Sequence, residues 1–129
     1  MNHSQAQSST LTAAEAEVMN VIWERPSAAV PDILERMPRK LAYTTVMTTV
    51  RILEEKGFVT RCGKRGRAFL YRAAVDREEV RGSMSNELAN RLFGGSIKSL
   101  VLSLVQQDTI DAKDLSEVKA LIEQLEAEN

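Results

Sequence analysis

One cysteine, Cys62, and one histidine, His3, are all that the 129 residues offer toward disulfide, metal or imidazole chemistry. A lone cysteine excludes an internal disulfide and every cysteine-rich zinc site. No apolar run approaches the roughly 18 residues that a membrane span needs. The polar start, Met1–Thr10, lacks an apolar signal core, so the chain is expected to stay in the cytoplasm with no membrane partner. Residues 1–10 are expected to form a flexible tail. No phosphate-binding glycine loop, nucleophile motif or metal spacing is present, so neither an enzyme nor a cofactor nor a metal is expected. The adjacent carboxylates Glu54-Glu55 and Glu78-Glu79 read as solvated helix positions. No internal repeat occurs, and low complexity is confined to the Ser/Gln-rich start.

An excess of positive charge is missing too: the formal net charge is −1, which counts against nucleic acid if taken alone. The total hides an asymmetry. From Arg36 to Arg72 the basic residues outnumber the acidic ones by ten to two, and from Ala73 onward acids outnumber bases by eleven to six. One half is built to meet an anion, and the other is not. With 43% apolar and 27% charged residues, the chain has an ordinary globular composition.

Thr12-Ala-Ala-Glu15 is a capping box that opens a first helix, with Leu11, Ala14, Val18, Val21 and Ile22 on one face and Pro26 as its stop. Pro31 suits the start of a second helix, Pro31–Met37, which Pro38 ends. A third helix, Tyr43–Lys56, closes at Gly57. Strands are expected at Phe58–Cys62 and Arg67–Arg72, around a turn of Gly63-Lys64-Arg65-Gly66. Beyond Val75 the pattern is helical, with capping starts at Asp76/Glu79 and Asp111/Asp114 and a break at Gly94-Gly95. The fold class is therefore mainly α with a small β-wing. A winged helix-turn-helix at 11–75 is followed by a helical dimerisation region at 76–129. About fifty helical residues seldom stabilise themselves, and three apolar stripes without a large core imply a second copy. Met84, Leu88 and Leu92, then Ile97, Leu100, Val101, Leu104 and Val105, then Leu115, Val118, Leu121, Ile122 and Leu125 are expected to form that homodimer.

At about 100° per residue, Val46, Val50 and Leu53 share one face of the third helix. Thr44, Thr48, Arg51 and Glu55 lie opposite, with Thr45 and Met47 on the flanks. Threonines weaken a helix by a few tenths of a kcal/mol each, so helix formation gives no reason for them. Reading bases does: short hydroxyls sit deep in a major groove and touch thymine methyls. Arg39, Lys40, Tyr43 and Arg51 extend the DNA-binding set, and Arg61, Lys64, Arg65 and Arg67 are spaced to reach phosphates. A solvated threonine face is the bland alternative. A winged-helix module that binds protein without sequence-specific DNA binding is the alternative function. Phe69 and Tyr71 read as wing packing. Cys62, among cations, is either a redox-sensitive thiol or a small apolar filler.

These stretches resemble a known family. Leu11-Thr-Ala-Ala-Glu-Ala-Glu-Val-Met-Asn-Val-Ile-Trp23 is similar to the opening of the penicillinase-repressor family, the BlaI/MecI/CopY type. Leu41–Val50 resembles its recognition helix, Leu53–Arg61 and Gly66–Arg72 its wing, and Phe93–Leu102 its dimerisation segment. The resemblance implies a homodimeric transcriptional repressor bound to inverted TACA/TGTA-type repeats in double-stranded operator DNA upstream of resistance genes. By position it implies base contacts from Thr44, Thr45, Met47 and Thr48. Copper-responsive members carry a C-terminal cysteine cluster, and the single cysteine here is Cys62. Antibiotic-responsive members are cut by a sensor-coupled protease at an Asn–Phe bond, where this chain has Ser103-Leu104.

Overall fold

A computed structural model describes residues 10–129; the expected tail at residues 1–9, with His3, lies outside the described residues. The chain forms two compact units that divide after Ser85. The first contains α1 (Ala13–Ile22), α2 (Val30–Arg36), α3 (Tyr43–Lys56), β1 (Val59–Arg65), β2 (Ala68–Ala73) and the start of α4 (Arg77–Leu92). The second contains the rest of α4, α5 (Ile97–Val105) and α6 (Ala112–Glu128). This is a three-helix core with a two-stranded antiparallel wing, followed by helices.

The capping box at the start of α1 is complete. The Thr12 hydroxyl accepts from the Glu15 amide at 3.2 Å, and Glu15 accepts from the Thr12 amide at 3.0 Å. Helix α2 begins one residue earlier than expected, at Val30, with Pro31 in its first turn. The Asp32 carboxylate accepts from the Ala29 amide at 2.9 Å, satisfying one orphan donor of that helix start. Helix α3 has the expected bounds and ends on Gly57 at φ 87°, a left-handed cap that any side chain would strain.

The wing departs from expectation. Gly63, Lys64 and Arg65 belong to β1, and the loop is only Gly66-Arg67, with Arg65 paired to Ala68. Gly66 takes φ 64° at the first loop position, which a two-residue hairpin loop favours. The register slips between Arg61 and Gly63, so Cys62 sits on a bulge. It is exposed, not the buried filler the sequence allowed. Two residues before α2 the chain also joins the sheet: Ala28 and Tyr71 exchange backbone bonds of 2.9 and 2.8 Å.

The first unit closes around Met19, Ile22, Ile33, Val46, Val50 and Leu53, each at most 1% exposed, with Val18, Phe58, Val59 and Tyr71. Val80 is buried in the same core and Met84 packs against it, so Met84 works inside this unit. Trp23 ties the exit from the wing to α1: its Nε1–H donates to the Val75 carbonyl at 3.0 Å, and the Arg77 guanidinium lies 5.4 Å from its ring centre.

One ion pair crosses this core. Lys56 Nζ, at the end of α3, donates to both oxygens of buried Glu15, at 2.8 and 3.0 Å. Burial pushes the Glu15 carboxyl up; the hydrogen bonds from Lys56 and Thr12, with the Lys56 charge, push it down further, so it ionises below the usual carboxylate value. A depressed folded-state value stabilises the fold above about pH 4.3, and that contribution fades as pH falls through it. Glu15→Gln is expected to cost about 1–2 kcal/mol at neutral pH, because Lys56 loses its partner but keeps some water. Its unfolding midpoint is expected to fall less steeply than that of the parent between pH 5 and about pH 3. Parallel pH profiles in urea titrations would mean that folding leaves the Glu15 pKa unchanged.

Candidate nucleic-acid interface

On α3 the buried side chains are Val46, Thr49, Val50 and Leu53, and the residues between them face out. Tyr43, Thr44, Thr45, Thr48 and Arg51 are exposed, Tyr43 at 44%. They form one polar strip because the apolar period fixes the helix face that meets α1 and α2. Met47 is half-buried and packs against the core at the edge of the strip. Of the four threonines only Thr49 turns inward, where its hydroxyl donates to the Thr45 carbonyl at 2.8 Å.

The cations around this strip are not all free. Arg39 donates through Nε and Nη2 to the two oxygens of Glu17, each at 3.0 Å. Arg61 Nε reaches Glu54 at 3.0 Å. Arg65 Nη2 reaches both oxygens of Asp32 at 2.9 Å. Among the described residues, Lys40, Arg51, Lys64 and Arg67 make no ion pair. The hydrogen bond from Arg39 lowers the Glu17 carboxyl below its ordinary range, and Arg65 does the same for Asp32, helped by the Ala29 amide. Phe69 lies between cations, with Arg61 4.1 Å and Lys64 4.9 Å from its ring centre, while Tyr71 is buried. Phe69 thus fixes the rise of two charged side chains above the wing.

Sequence reasoning missed these acids. Glu17 and Asp32 lie outside the basic stretch, and Glu54 was taken for a solvated carboxylate although it is half-buried against Arg61. The spacing of Asp32 three residues after Ala29 was the one available signal, since an acid there caps a helix start.

The second unit is described by itself. Leu88, Leu92, Ile97, Val101, Leu104, Leu115, Leu121, Ile122 and Leu125 are exposed, Leu92 at 71%. Val105 and Val118 are half-buried, and Leu100 is buried within the unit, as is Ala89, so Leu100 is not available to a partner. The Ser96 hydroxyl caps α5 by accepting from the Ser99 amide at 3.0 Å, and Asp111 caps α6 by accepting from Asp114 at 2.8 Å. Val101, Leu102, Val105, Leu115, Val118 and Ile122 line an open apolar groove between α5 and α6. Ser103 and Leu104 lie in the last turn of α5, in helical backbone. No described helix is long and apolar enough to cross a membrane.

Comparison with known proteins agrees with this architecture. The chain is 29% identical over 114 residues to the methicillin resistance regulatory protein MecI of Mammaliicoccus sciuri, covering 87% of this chain and 92% of that one. It is 26% identical over 113 residues to the penicillinase repressor of Bacillus licheniformis, covering 86% and 88%. Among solved structures, the hsRosR-SG complex superposes with a TM-score of 0.51 at 17% identity, covering 93% of this chain and 96% of that chain. A mutant MarR from E. coli gives 0.50 at 12% identity, covering 94% and 82%; at such identities the likeness is one of fold. The profile of the family described as penicillinase repressor matches residues 11–124, and on that match, over a winged-helix fold, the chain belongs to the penicillinase-repressor family of transcriptional repressors.

Proposed function

We propose that the chain represses transcription as a homodimer on double-stranded operator DNA. Helix α3 enters the major groove, and the wing lies on the backbone. The exposed strip of Tyr43, Thr44, Thr45, Thr48 and Arg51, opposite the buried Val46, Val50 and Leu53, carries this reading. Thr44, Thr45, Met47 and Thr48 meet base edges, while Arg39, Lys40, Arg61, Lys64, Arg65 and Arg67 meet phosphates. The exposed apolar side chains of the second unit support the dimer, because so much uncovered leucine and isoleucine is costly in water. Two copies would place their α3 helices about 34 Å apart, in successive major grooves of an inverted repeat. The names of its relatives, a methicillin resistance regulatory protein and a penicillinase repressor, support resistance genes as the target, and TACA/TGTA-type half-sites are what the family resemblance implies.

Reader and clamp are expected to fail differently. Thr48→Val should cost roughly 1–3 kcal/mol on the preferred duplex and flatten discrimination between half-site variants. Arg67→Ala should weaken every duplex alike and lower the log–log salt slope by about one. Fluorescence anisotropy against a salt series, with operator-like and scrambled duplexes, checks both. The opposite assignment of effects would exchange the two roles, and binding that ignores salt would remove the DNA reading altogether.

A further inference from the structure

The ion pair between the wing and α2 differs in kind from the other two around the recognition strip. Arg39 spends two nitrogens on Glu17. Arg65 spends only Nη2 on Asp32, with both contacts at 2.9 Å; Nε and Nη1 make no hydrogen bond among the described residues. The Arg65 side chain is 58% exposed and that of Asp32 only 19%. Asp32 is itself held: it accepts from the Ala29 amide at 2.9 Å, and Ala29 follows the residue that pairs with Tyr71 of β2. A fixed carboxylate therefore grips one corner of a guanidinium beside the two-residue turn of the wing.

We propose that Asp32 is a positioning residue for DNA binding, holding Arg65 by Nη2 so that its guanidinium stays fixed beside the wing turn with the Nε and Nη1 donors left for backbone phosphate oxygens. The inference rests on the DNA reading above and adds a residue to it. A free arginine on a hairpin tip must surrender rotamer freedom when it docks. One already fixed surrenders less, and each remaining N–H can still donate a charge-assisted hydrogen bond to a phosphate oxygen. The hydrogen bonds from Arg65 and the Ala29 amide hold the Asp32 carboxyl below its ordinary range, and the Arg25 charge adds a smaller share. The other consequence of Asp32 is a negative charge close to the proposed phosphate path, which by simple charge counting opposes binding.

The two effects have opposite signs under Asp32→Asn. The asparagine oxygen can still accept from the Ala29 amide, so the start of α2 is kept, but the charged hold on Arg65 is lost. Anisotropy titrations would use the full chain and a labelled duplex with inverted TACA/TGTA half-sites, together with a scrambled duplex, across a salt series. Asp32→Asn is expected to weaken binding to both duplexes roughly tenfold and to lower the salt slope by about one, as Arg65→Ala does. The double variant is expected to match Arg65→Ala alone. Unchanged or tighter binding by Asp32→Asn overturns the proposal. So does additivity in the double variant, which would mean that Asp32 acts through general stability or another partner. If Arg65→Ala behaves as the parent while the parent remains steeply salt-dependent, the Asp32 assignment fails and the DNA reading stands. If the parent shows no salt dependence, both fail.

Discussion

A chain ending at Ser85 is expected to be monomeric and to bind a two-half-site duplex about 10²–10⁴-fold more weakly than the full chain. The cut follows the structural division after Ser85 rather than the end of the wing. Val80 is buried in the core of the first unit and Met84 packs against it, so a cut just after Ala74 would strip that core as well. A cut after Ser85 removes Leu92, Leu104, Leu121 and Leu125, each at least half exposed in a single chain. Covering such a side chain is worth roughly 1.5–3 kcal/mol, so a handful of them exceeds the cost of association. Two linked reading heads then gain the second half-site as an intramolecular contact, which a monomer cannot do. Sedimentation of both chains, with anisotropy on one duplex, tests the claim. A truncated chain that stays dimeric, or that matches the full chain in affinity, places the dimer contact elsewhere.

Leu53→Ala is expected to destabilise the protein by about 2–5 kcal/mol. Leu53 is fully buried on the inner face of α3, in one core with Val46, Val50, Met19 and Ile33. Truncation leaves a cavity that close-packed neighbours fill only in part. The adjacent Ile52 is 38% exposed, and Ile52→Ala should stay within about 0.5 kcal/mol by the same measurement. Because α3 also carries the proposed reading strip, Leu53→Ala should lose DNA binding in step with its folded fraction, without altered preference among half-sites. Chemical denaturation beside binding at low temperature separates the two. A cost under 1 kcal/mol for Leu53→Ala would show that α3 is not anchored where its buried face indicates.

How far the sequence carried the structure depended on the range of the interaction. The start of α1 and both ends of α3 were legible because each is set by a few adjacent residues: Thr12 with Glu15, the Val46–Val50–Leu53 period, and Gly57. The wing turn was misplaced because a bulge at Cys62 interrupts the two-residue alternation that locates strands. Glu17, Asp32 and Glu54 went unrecognised as partners of Arg39, Arg65 and Arg61, since two of those pairs join residues 22 and 33 positions apart. Along the later helices, an apolar stripe looks the same whether it faces its own unit or another chain. Periodicity could not separate buried Leu100 from exposed Leu104, about one turn further along the same helix.

The wing leaves one row of backbone groups open. Its sheet runs β1–β2, and Ala28 pairs with Tyr71 on the β2 side, so among the described residues the outer edge of β1 has no neighbour. Such an edge is a template on which a strand from another molecule can grow, the first step toward aggregation. Here β1 carries Arg61, Lys64 and Arg65 along only seven residues, and the bulge at Cys62 breaks its flatness. An incoming copy of β1 would bring the same three cations against these and be repelled. A set of charges suited to a phosphate backbone therefore also keeps crowded wings apart, and substituting them with apolar residues trades DNA affinity and colloidal stability together.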